Sequence, residues 1–244
     1  MGWRRISFLV LNLALISLMI KAGFWQLDRA AQKQAILDRG AQTEELASIE
    51  MLWQQDANVL SLKKAQLVGT LDTAQVWLLD NKVHQGEVGY EVLLALTPID
   101  SSQHDKRVLV NLGWVSGRGD RQRWPDLSRL VAWQGVVDLS GLLHQPQLGF
   151  QLGNEPLIDT WPQRLQGLNM EKLAVFYQQQ GLLLSPVVFR VDPSSAVGFV
   201  KEWPLVTMLP AKHIGYAWQW FLMALACAGL FIWFYRRGGL YEKK

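Results

Sequence analysis

The sequence predicts a membrane α+β protein, with two transmembrane helices, one near each terminus, flanking a β-rich extracytoplasmic domain. Three observations predict it. One apolar run begins at Ile6 and a second ends at Tyr235. Each carries an arginine pair on its terminal side, Arg4-Arg5 before the first and Arg236-Arg237 after the second. Between the runs the texture changes to short apolar segments divided by Gly, Asp and Pro, the pattern of strands and turns.

Composition supports the division. Half of the 244 residues are hydrophobic and 18% are charged. The apolar excess sits in the two terminal runs, which leaves a middle of ordinary globular composition. The net charge is only +3, and the basic pairs lie where they set topology rather than bind nucleic acid. The one cysteine, Cys227, lies inside the second run. No internal disulfide framework can form, and there is no Cys-x-x-Cys pair for thiol exchange or copper carriage. The middle domain therefore holds together by core packing alone.

The first span covers residues 6–25, and about 20 helical residues reach roughly 30 Å, the thickness of a hydrocarbon core. Trp3 and Trp25 bracket it, and Lys21 snorkels to the outer interface. A cleaved signal peptide also fits an arginine pair followed by an apolar stretch. Lys21-Ala22-Gly23-Phe24-Trp25 lacks a small-x-small cleavage site, which favours an uncleaved anchor. The second span covers residues 213–235, with Trp218 and Trp220 at one interface and Trp233 and Tyr235 at the other. The flanking basic residues, with Lys243 and Lys244, place both termini in the cytoplasm. Residues 26–211 are then extracytoplasmic and 236–244 form a basic tail. Only Met1 to Arg5 precede the first span, too little for an Arg- and Ser-rich organelle leader, so a bacterial inner membrane is the expected home.

Leu27 to Leu46 is rich in helix formers and extends the first helix out of the membrane, with Gly40 as a point of interruption. Strands are expected at Ala65–Leu71, Val76–Asp80, Tyr90–Leu96, Arg107–Val115, Gly135–Leu143 and Val187–Val191. The second and third flank a hairpin loop containing Gly86 and Gly89. One helix interrupts the strands, with Asn169 as N-cap, Met170 to Gln180 as its body and Gly181 as its stop. No repeat period is present. The expected domain is a small barrel or curled sheet.

Chemistry-bearing residues are sparse. His84, His104 and His144 stand isolated, with no second ligand at metal spacing, and read as surface or turn histidines. No G-x-S-x-G elbow, P-loop, H-E-x-x-H or dinucleotide fingerprint occurs, so the expectation is a non-enzyme. The loop Gly117–Asp126 carries Arg118, Arg121 and Arg123 beside Trp124 and Pro125. Its guanidinium groups suit carboxylates, including haem propionates or a partner's acidic edge; a solvated hairpin loop is the commoner meaning of such a run. His213 stands between Pro210 and the second span. In a helix it shares a face with Tyr216, Ala217 and Trp220, a setting that suits axial ligation of a haem iron. An ordinary interfacial histidine in an aromatic belt is the competing reading, and on residue chemistry alone the more frequent one.

Five separated segments resemble one family, the surfeit locus protein 1 family of haem-copper cytochrome c oxidase assembly factors. They are GFWQLDRAAQK at Gly23–Lys33, LLDNKVHQGEVGYEV at Leu78–Val92, VNLGWV at Val110–Val115, a block from Trp161 through Leu173 to Asp192-Pro193, and KHIGYAWQWF at Lys212–Phe221. They run in order over nearly the whole chain. Three positions depart from the family pattern: Leu112 stands for an arginine, Ser116 for a proline and Lys212 for an asparagine. The resemblance implies a role in oxidase biogenesis through haem a delivery to the catalytic subunit. His213 would be the haem ligand, with Tyr216, Trp220 and Arg118 beside the cofactor. Its implied partners are the oxidase catalytic subunit, haem a synthase and membrane lipid, without nucleic acid. If the missing arginine contacts a propionate or a partner in the family, its job here has passed to Arg118 or Arg121, or is not done. The rival function is a haem-independent membrane scaffold that binds oxidase subunit intermediates through Trp114, Arg118 and Trp124.

Overall fold

Alternating apolar residues between Lys64 and Val191 form strands that close on themselves. A computed structural model describes residues 3–42, 46–99, 104–119, 122–146, 157–158 and 160–238. Arg121 and the tail beyond Gly238, with Lys243 and Lys244, lie outside the described residues, as do the side chains of Arg4 and Arg5. The chain divides into two compact units, Thr43–Trp203 and a unit of Met1–Gln42 with Pro204–Lys244.

In the first of these, the strands are β1 (Leu46–Ala47), β2 (Lys64–Leu71), β3 (Trp77–His84), β4 (Glu87–Pro98), β5 (Lys106–Ser116), β6 (Val136–His144), β7 (Gln163–Leu165) and β8 (Leu183–Val191). They form one sheet in the order β1-β2-β6-β8-β5-β4-β3-β7, and a further pairing of β2 with β4 closes five of them into a barrel. β5 and β8 run parallel, whereas the other contacts around the barrel are antiparallel. The twelve-residue β4 serves two structures. Its end at Leu96–Pro98 closes on β2, while its start pairs with β3 in a flap that continues to β7.

Inward residues of alternate strand positions fill the barrel: Leu67, Val92, Leu94, Leu96, Val108, Val110, Leu112, Leu139, Val187 and Phe189 are fully buried. Two short helices, α2 (Met51–Gln54) and α3 (Ala57–Leu60), add Leu52 and Leu60 to this core. Ser185 Oγ donates to Leu52 O at 3.1 Å. A second core lies between the outer sheet face and α4 (Met170–Gln178), built on Trp77, Leu93, Leu109, Leu173 and Tyr177. Asn169 caps α4 by accepting from Lys172 N at 3.0 Å, which satisfies one of the helix's free N–H groups. Gly181 follows at φ 76°.

The β3–β4 hairpin is tighter than the expected loop. Both strands run on to His84 and Glu87, and Gln85-Gly86 turns the chain with φ 48° and 84°. Two successive positive φ values make the turn whose twist matches paired strands.

The other unit holds two long helices, α1 (Trp3–Gln42) and α5 (Pro210–Gly238), both long and apolar enough to cross a membrane. α1 has 40 residues and passes through Gly40 without a break. The glycine serves packing instead: a Cβ on residue 40 would lie 2.5 Å from Leu205 Cδ1. Phe8 meets Phe231 and Phe234, Phe24 meets Phe221, and so the helices pack antiparallel.

Candidate functional site

Pro210 opens α5, where its missing N–H costs nothing, and His213 follows in the first turn. One stripe of α5 faces α1 at helical spacing: His213 and Trp220 are half-buried, and Ala217 and Ala224 are 1% and 5% exposed. The matching stripe of α1 contains Gly23, Gln26 and Ala30. At Gly23 a Cβ would lie 2.4 Å from Phe221 Cε1, so glycine is what lets the helices approach this closely.

That approach brings Gln26 to His213. The imidazole Nδ1 is 2.8 Å from Gln26 Oε1. An amide oxygen only accepts, so Nδ1 donates, and in the neutral ring the lone pair then lies on Nε2. Nε2 is buried and has no hydrogen-bond partner among the described residues. A buried unsatisfied acceptor is costly to a fold. Here it is a nitrogen base whose tautomer and ring plane are held from behind, the arrangement that metal-ligating histidines show. An imidazole nitrogen held this way is a donor of the type a haem iron takes.

The remaining sequence candidates are distributed differently. Tyr216 is 43% exposed and lies off the stripe that carries His213, Ala217 and Trp220. Arg118 belongs to the unit Thr43–Trp203, with its side chain 71% exposed and 3.4 Å from Asp126. Hydrogen bonds from Ser128, then the Arg118 charge, hold the Asp126 carboxyl below its ordinary range. Trp124 is 48% exposed, with the Arg164 guanidinium 4.4 Å from its ring centre. Trp114 is tied down: its Nε1 donates to Lys82 O at 2.9 Å, and His84 packs on its ring at 5.1 Å. Leu112 is fully buried in the barrel core, so this departure from the family pattern is a packing residue here. Ser116 Oγ donates to Glu87.

Gln26 escaped the reading by residue chemistry because a lone glutamine in a helix carries no signature. A signal was present: it repeats with Gly23 and Ala30 at i, i+3 and i+7 on a face otherwise made of small residues.

Comparison with family models finds one whose description is the SURF1 family, matching residues 13–225. No curated protein matches the chain.

Proposed function

We propose, from the premise that this chain belongs to the SURF1 family of cytochrome c oxidase assembly factors, that it holds haem a in passing on its way to the oxidase catalytic subunit. The observation that supports this reading is the His213 imidazole, whose Nδ1 is held by Gln26 and whose Nε2 is buried without a partner. Haem a, when bound, would supply an iron that takes a neutral imidazole nitrogen, and His213 would hold it. Gln26 orients the ring and fixes its proton on Nδ1. His213 presents Nε2, and Gly23 keeps the two helices close enough for both. A single protein ligand suits release to the next carrier. Trp220 lies on the His213 stripe, and Tyr216 and Arg118 are candidates from the family resemblance alone.

The same reading places α1 and α5 across a bacterial inner membrane with both termini in the cytoplasm. Two long apolar helices fit a membrane protein, and the arginine pairs supply the orientation.

Reduced-minus-oxidised visible spectra of membranes from a strain lacking the gene test the pathway. Loss of the a-type signal with b- and c-type signals intact is expected, and an unchanged spectrum in a strain without a second family member overturns the assignment. Purified His213→Ala protein should lose its haem a spectrum; full retention removes His213 from the site. The scaffold reading is favoured by the exposed Trp124. It predicts that oxidase subunits co-purify equally well when haem a synthesis is blocked.

A further inference from the structure

Arg190 lies between Phe189 and Val191, both fully buried in the barrel core, so its side chain takes the opposite, outer face of the sheet. On that face β6 sets Leu142 opposite Arg190 and His144 two residues along, opposite Val188. β5 sets Asn111 opposite Arg190 on its other side. Among the described residues the carboxylate whose charge reaches Arg190 is Glu91, and both its oxygens are engaged elsewhere. Oε2 accepts from Asn111 Nδ2 at 2.6 Å, and Oε1 is 3.4 Å from Lys82 Nζ.

The guanidinium is left over. It makes no hydrogen bond and no ion pair with any described residue, and its Nε is buried without a partner. It is held in place all the same. Its carbon lies 5.3 Å from the centre of the Trp203 ring, and Trp203 is fixed because its Nε1 donates to Val191 O at 2.7 Å. Burial pushes Arg190 below its ordinary range, and the Glu91 charge offsets this only in part. His144 is driven down to about 4, by burial first and then by the positive charges of Arg190 and Lys82. Its ring is therefore neutral at pH 7, with one N–H to donate. Two cations face one carboxylate on a partly desolvated surface. A half-buried cation without an acceptor is unfavourable unless something anionic completes it.

We propose that Arg190, with His144 and Lys82 beside it, forms an oxyanion-binding site on the outer face of the barrel that takes a carboxylate or phosphate group. The guanidinium, lying over the Trp203 ring, carries a planar fork of donors that matches two oxygens of such a group. The site is distinct from His213, which belongs to the other unit, and does not depend on the haem reading.

The test uses the full chain in a neutral detergent with ¹⁵N labelling. The Arg190 Nε–H and the His144 ring resonances are followed during separate titrations with inorganic phosphate, acetate and a short-chain phosphatidylglycerol. A saturable shift of Arg190 at millimolar ligand is expected, and the His144 pKa should rise on binding because a nearby negative charge favours imidazolium. Arg190→Gln should abolish the response, and Arg190→Lys should weaken it about tenfold by losing the bidentate fork. Response to phosphate or acetate identifies a free small anion as the source. Response to phosphatidylglycerol alone identifies a lipid headgroup. No saturable shift in any titration, or an undiminished one in a folded Arg190→Gln protein, overturns the proposal.

Discussion

At the scale of single residues, the His213 and Arg190 centres are both incomplete, and each incompleteness makes a measurable prediction. Gln26→Leu keeps the volume of the side chain but removes the acceptor of the His213 Nδ1–H. The ¹⁵N shifts of His213 should move from one tautomer towards a mixture, and retention of haem a should fall about tenfold, the usual effect of losing a partner behind a ligand. Unchanged tautomer populations would show that Gln26 does not hold the ring. His144 makes a prediction about pH. Its folded value of about 4 lies below the 6.5 of an open chain, so between these values the unfolded state binds the proton and the folded state does not. Stability contributed by the neutral ring is complete above pH 6.5 and declines as pH falls towards 4. Solvent screening of the partly exposed ring trims the loss below a full linkage of about 3 kcal/mol. Urea unfolding of wild type and His144→Gln at several pH values should show this slope in the first and lose it in the second, with Arg190, Lys82 and Glu91 unchanged. Leu112→Ala, in the barrel core, should cost about 3 kcal/mol by the same urea method.

At the scale of elements, close approach decides what each contact permits. Barrel closure between β2 and β4 depends on Gly69, where a Cβ would lie 2.2 Å from the carbonyl oxygen of Thr97. That neighbour is backbone and cannot swing aside. Gly69→Ala should therefore open the β2–β4 seam, visible as faster amide exchange at Asp72 and Ile99, whose N–H groups donate to Ala95 O and Val68 O across it, than at residues of β5. The α1–α5 seam behaves otherwise, because the atoms facing Gly23 belong to a side chain. Gly23→Val alone should weaken helix pairing, and Phe221→Ala added to it should restore the pairing by vacating the space. Failure of the second change to rescue the first would place the seam elsewhere. Element positions were largely legible in advance. Short apolar segments divided by turn residues located β2, β5 and β6, and Asn169 and Gly181 bounded α4, because turn residues and caps are local signals. β1 and β7 were not legible: at two and three residues they have no pattern of their own and exist only through parallel pairing with β2 and β3.

At the scale of the whole molecule, the proposed topology puts the unit Thr43–Trp203 outside the cytoplasm. With Cys227 replaced by serine, a single cysteine introduced at Val131, which is 68% exposed, should react with a membrane-impermeant maleimide in intact spheroplasts. A cysteine in the tail after Arg237 should react only after lysis. The reverse pattern would invert the orientation and with it the compartment in which the oxidase is met.

What the sequence determined by itself is whatever a short stretch of chain enforces. The two helices long and apolar enough to cross a membrane, the main strands and the α4 cap all follow from composition, period and capping over a few residues. The tertiary structure decided which edges meet. Any strand edge can hydrogen-bond any other, so neither the β2–β4 closure nor the parallel β5–β8 contact is written in local pattern. The same holds for the sites. Gln26 and His213 are 187 residues apart, and Arg190, His144 and Lys82 come from three strands. Each is unremarkable alone, and only packing creates the buried lone pair on one and the unmatched charge on the other.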